Sequence, residues 1–165
     1  MIERQWAEHL IQQHWAPRPT PVDPVAIARA IGVEVRFCSA FEPDFASGAS
    51  GTFEYEGNRP VIKVNAGDSP NRQRFTIAHE LGHHVLGHAV GGKRFRDTSS
   101  TLSGGSYDPV EVSANRFAAE LVMPAYSVKV MVEDRRVSSI SDLASAMGVS
   151  EIAMQIRLKN LGYIS

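Results

Sequence analysis

His79-Glu80-Leu81-Gly82-His83 is the stretch of this chain that specifies a chemistry. It reads H-E-x-x-H and follows a helix start at Ser69-Pro70. Residues four apart on an α-helix lie about 40° apart around the axis and about 6 Å along it. Two imidazoles so placed can reach one metal ion, usually zinc. Glu80, next to His79, sits beside such an ion without ligating it. It can hold and deprotonate a water there, the general-base role of a metallopeptidase. A five-residue pattern with two free positions also arises by chance on exposed helices. Its surroundings argue for a site: Phe75, Ile77, Ala78, Leu81, Val85 and Leu86 place it in an amphipathic helix over roughly 70–88.

Two histidines leave a catalytic site one protein ligand short. The extension H-E-x-x-H-x-x-G-x-x-H would need Gly at position 86 and His at position 89, and the chain has Leu86 and Ala89. His84 and His88 would lie about 140° and 180° around a continuous helix from His79, and so could not serve the same ion. They read as surface or half-buried polar residues.

A second helix offers the better third ligand. Asp108-Pro109-Val110-Glu111 has an N-cap, a first-turn proline and an acid at the third helical position. The helix then runs to about Val122. Glu111 at that place can equally close a capping box. Against this, Glu111 and Asn115 share a face, and Ala114, Ala118 and Ala119 allow close helix approach. Glu111 as ligand and Asn115 as partner of a ligand histidine is what a two-helix zinc site needs. Glu120, on the opposite face, is a weaker candidate.

The segments RFTIAHELGHHVLGH (74–88) and EVSANRFAAELVMP (111–124) resemble the two signature helices of the ImmA/IrrE-type metallopeptidases. VIKVNAG (61–67) and LASAMGVSEIAMQIRLKNLGYIS (143–165) are similar to that family's preceding strand and C-terminal end. The resemblance implies a gluzincin-like α+β fold, mostly helical, with a small antiparallel sheet beside the active-site helix. It implies His79, His83 and Glu111 as zinc ligands and Glu80 as base. It also implies a protein substrate, a helix-turn-helix repressor cleaved to relieve repression.

The remaining elements must position these residues. Residues 2–14 read as a helix, and Asp23-Pro24 opens a short one to about Ala30. Residues 33–37 alternate like a strand, and 52–55 and 61–65 form a hairpin around Glu56-Gly57-Asn58. Residues 89–107, rich in Gly and Ser, read as a mobile loop with Lys93, Arg94 and Arg96 as a solvated basic cluster. Ser141-Asp142 can cap a helix to Met147, and Gly148-Val149-Ser150 turns into a helix over 151–160, a helix-turn-helix pattern. The expected division is a metallopeptidase domain over 1–136 and this helix pair over 137–165, packed as one unit.

Composition limits the function classes. The chain has 165 residues, 43% hydrophobic and 21% charged, with net charge −1. That fits one ordinary globular domain without global attraction to nucleic acid. The single cysteine, Cys38, excludes an internal disulfide and suits the cytoplasm. No apolar run approaches a membrane span, and MIERQWAEHL does not read as a secretion signal. Residues 138–165 carry Arg157 and Lys159 against Asp142 and Glu151, a net of zero that argues against a DNA reader.

A metal-dependent endopeptidase is therefore expected. The alternatives are a non-catalytic antirepressor or toxin-type interaction module, and a DNA-binding regulator. Zinc suits the donors, with another divalent metal compatible. A polypeptide would lie extended along a sheet edge supplied by 52–55 or 61–65. Tyr107, Tyr126 and His88 are the candidate oxyanion donors. The 89–107 segment and the C-terminal helices are expected docking surfaces. Substrate identity and oligomeric state do not follow from the residues.

Overall fold

The computed structural model describes residues 1–46, 48–88 and 108–165 in full and 95–98 by their backbone. It is an α+β fold in which helices cover one face of a four-stranded sheet. Helix α1 (Ile2–His14) and short α2 (Pro24–Ala30) precede strand β1 (Glu34–Cys38). The hairpin β2 (Ala49–Glu56) and β3 (Arg59–Asn65) follows, then α3 (Pro70–Val85). Strand β4 (Phe95–Thr98) leads to α4 (Pro109–Val122). Helix α5 (Ala125–Lys129), a π-helical turn (Val130–Asp134), α6 (Ile140–Met147) and α7 (Glu151–Asn160) complete it. Among the described residues, no helix is long and apolar enough to cross a membrane.

The sheet order is β1-β3-β2-β4. The hairpin is antiparallel, with Phe53 opposite Ile62, and turns at Gly57, whose φ of 63° favours glycine. β1 pairs parallel with β3, Val35 opposite Ile62, so the sheet is mixed. β4 pairs antiparallel with β2 across an irregularity between Ala49 and Gly51. The 89–107 segment thus contributes a strand where the residues read as loop. Its local Gly and Ser content hides a pairing that β2 supplies from elsewhere in the chain. The rest of that segment, with Lys93 and Arg94, and the side chain of Arg96 lie outside the described residues.

Capping residues set where the helices begin. Ser69 accepts from the Arg72 N–H with Pro70 in the first turn, and Asp108 accepts from the Val110 N–H. In the C-terminal pair the cap is Ser139, two residues before the expected Ser141-Asp142. Its hydroxyl accepts from the Asp142 N–H, so Asp142 lies inside the helix.

One buried cluster joins Ile77, Ala78 and Leu81 of α3 and Phe117, Leu121 and Val122 of α4 to Leu143, Met147, Met154 and Leu158 of the C-terminal helices. Polar anchors fix that docking. Asn71 donates to the Val149 carbonyl, and Arg74 donates to the carbonyls of Gly148 and Val22. Arg157 is 5% exposed, makes a bidentate pair with Glu120 at 2.9 and 2.7 Å, and donates to the Met123 carbonyl. Glu120 is therefore a structural partner of α7. Arg157, one of the two basic residues in 138–165, is turned inward and withheld from any nucleic-acid surface. Exposed on α7 are Glu151, Ile152, Gln155, Ile156, Lys159 and Asn160.

Removing one partner of a buried pair strands the other charge, at a cost of about 3–5 kcal/mol. Arg157→Ala is expected to lower unfolding stability by about that amount in denaturant titrations. The double change Glu120→Leu with Arg157→Met should recover most of it.

Candidate metal centre

The candidate ligands come from two helices whose approach is set by small residues. At Gly82, in the middle of α3, an added Cβ would sit 3.0 Å from Phe117 Cδ1 and 3.3 Å from the Ala114 backbone. Glycine there, facing Ala114, lets α3 and α4 lie this close without displacing Phe117 or the Ala114 backbone. The contact brings the first turn of α4 over the C-terminal half of α3.

There, His79, His83 and Glu111 form the one three-residue metal-capable group among the described residues, all three buried. His79 Nε2 lies 3.0 Å from Glu111 Oε2, His83 Nε2 lies 3.5 Å from Glu111 Oε1, and the two Nε2 atoms are 3.1 Å apart. A tetrahedral ion with bonds of about 2.0–2.1 Å requires ligand atoms about 3.3 Å from one another. The residues therefore fit a divalent ion: two imidazole nitrogens and a carboxylate face one point at the right mutual spacing. Glu111 turns its carboxylate to the histidines, and the N-cap role at α4 falls to Asp108.

Each imidazole is held from behind. His79 Nδ1 lies 2.8 Å from Asn115 Oδ1, which can only accept, so His79 carries its proton on Nδ1 and presents an Nε2 lone pair. The structure thus brings Asn115 against His79, one of the candidate ligands. His83 Nδ1 lies 3.0 Å from His88 Nδ1. Here the residues misled: the helix pattern runs to His88, but α3 stops at Val85. Gly87, at φ 70°, turns the chain so that the His88 N–H bonds back to the His83 carbonyl at 2.9 Å. The angular argument separating His88 from His83 holds only for an unbroken helix. His84 does face elsewhere, with Nδ1 3.0 Å from the Tyr55 hydroxyl. Burial lowers the pKa of His84, and that of His88 with a further contribution from nearby His83.

Glu80 is fully buried on the face of α3 that meets β2. Gly51 makes room for it, since a Cβ there would lie 2.8 Å from Glu80 Oε1 and collide with the Thr76 methyl. The residues read alone gave Gly51 no role. A glycine bordering a β-prone run is the signal that could have marked a close approach. Both strands expected to offer a free edge are interior, since β3 lies between β1 and β2, and β2 between β3 and β4. On the β2 side the terminal strand is β4. Tyr126 is 77% exposed and lines a groove of about 510 Å³ with Trp15, Pro19, Glu120 and Arg135, a groove that includes none of the metal-capable residues. The structure does not bring it to the centre. Tyr107 lies outside the described residues.

Widening the helix contact should loosen the centre. Gly82→Val adds three carbons where the first already crowds Phe117 and Ala114. Overpacking of this kind costs about 1–3 kcal/mol. A lowered melting temperature together with weakened Zn2+ binding in a chelator competition is the expected result.

The IrrE N-terminal-like domain family matches residues 28–159, well over half of the chain. Over 84 residues the chain is 36% identical to the radiation response metalloprotease IrrE of Deinococcus radiodurans. That alignment covers 50% of this chain and 24% of the relative, so the chain spans about a quarter of that protein's length. The two-helix centre and the family match agree: this chain belongs to the IrrE N-terminal-like domain family.

Proposed function

We propose that this chain is a zinc-dependent endopeptidase of gluzincin type that cleaves a regulatory protein in the cytoplasm, with a helix-turn-helix repressor as substrate. The observation that carries the reading is the convergence of His79, His83 and Glu111 with Glu80 on the same helix. The family match and the name of the metalloprotease relative support the reaction class. The resemblance to ImmA/IrrE-type peptidases supports the substrate class.

Zinc held by His79, His83 and Glu111 would supply Lewis acidity, polarising the scissile carbonyl and lowering the pKa of water towards about 7. Glu80 takes a proton from the attacking water as its oxygen bonds to the carbonyl carbon. When the C–N bond breaks, Glu80 delivers that proton to the leaving nitrogen. Asn115 keeps the His79 lone pair on the centre throughout. Burial of all four site residues limits competing water and strengthens the electrostatics. The substrate backbone extends along the sheet on the side where β4 is terminal, its amides pairing as an added strand.

Glu80→Gln preserves size and removes the base. The zinc content should stay at the wild-type level while cleavage of the repressor falls about 10²–10⁴-fold. Mass spectrometry of the zinc-loaded protein with a cognate repressor and with unfolded casein should show cuts at one or few repressor bonds. Full biological activity in zinc-loaded Glu80→Gln would favour a non-catalytic antirepressor. Broad casein digestion without preference would remove the repressor and leave the peptidase.

A further inference from the structure

Each imidazole of the centre has one nitrogen turned inward and one turned outward. For His79 the outward partner is an amide oxygen. For His83 it is another histidine, placed by a short piece of chain with a built geometry. α3 ends at Val85, Leu86 caps it through the Gly82 carbonyl, and Gly87 takes the left-handed conformation at φ 70°. The His88 N–H then bonds the His83 carbonyl at 2.9 Å, and the two Nδ1 atoms meet at 3.0 Å. The rings are inclined at 64° with centroids 5.2 Å apart, an edge contact that leaves the nitrogens facing.

We propose that His88 is a positioning residue for His83, accepting its Nδ1–H and thereby holding its Nε2 lone pair towards Glu111 and His79. A histidine that ligates through Nε2 must carry its proton on Nδ1. His83 is fully buried, so that proton needs a protein acceptor. His88 Nδ1 supplies it, and His88 then keeps its own proton on Nε2. Removing such an outer partner typically weakens metal binding about 10–100-fold. In this role His88 acts through His83.

This inference rests on His79, His83 and Glu111 being the metal ligands. The test titrates wild type, His88→Leu, His88→Phe and His88→Asn with Zn2+ against a chromogenic chelator, alongside thermal melts of the metal-free proteins. Asparagine places an amide oxygen close to where Nδ1 lies, whereas leucine and phenylalanine keep bulk without an acceptor. The expected result is about 10–100-fold weaker Zn2+ binding for the apolar variants, unchanged metal-free melting, and affinity restored to near wild type by asparagine. If leucine prevents folding, phenylalanine carries the same comparison. Wild-type affinity in the apolar variants, or asparagine as weak as leucine, would overturn the positioning role. Absence of stoichiometric Zn2+ binding in the wild type would instead overturn the metal-centre reading beneath it.

Discussion

The spacing between α3 and α4 is the constraint on which the centre depends. A carboxylate and an imidazole on different helices can meet only if the backbones approach closely. Gly82 against Ala114 and Phe117 permits that approach. The same contact lets Asn115, one turn beyond Glu111, reach the far nitrogen of His79. The close approach of Gly82 and Ala114 therefore governs both the reach of the candidate ligand Glu111 and the contact of Asn115 with His79. Gly51 plays the corresponding part on the sheet side, where a side chain would occupy the place of Glu80.

The rest of the molecule holds α3 in register. Its N-terminal half is tied to the C-terminal helices by Asn71 and Arg74, which satisfy carbonyls at the turn around Gly148. The left-handed φ of 66° at Gly148 and the 2.7 Å from its hypothetical Cβ to Arg74 Nε both demand glycine there. The Arg157–Glu120 pair binds α7 to α4 on the other side. The helix-turn-helix shape thus serves as a brace across the two helices that carry the centre. Arg157, which could have contacted a phosphate, is committed to it.

What could be read from the residues divides along physical lines. The H-E-x-x-H pair, the Asp108 cap and the small face of α4 are local signals, because helix geometry fixes their relations within one or two turns. Glu111 was ambiguous between cap and ligand, since both uses require an acid in the first turn. The tertiary contact turns the Glu111 carboxylate to the histidines, while Asp108 accepts from the Val110 N–H. His88 was misplaced because periodicity assumes a continuing helix, and Gly87 breaks it. β4 was missed because its pairing partner is more than 40 residues away in the chain. Gly51 was silent for the same reason: its neighbour Glu80 is non-local.

Zinc K-edge X-ray absorption on the zinc-loaded protein addresses the central claim most directly. The account predicts one ion per chain with two imidazoles at about 2.0–2.1 Å and carboxylate oxygen at about 2.0–2.2 Å. A first shell without the multiple scattering of two imidazole rings would contradict it. So would a shell unchanged when His79 and His83 are both replaced by alanine.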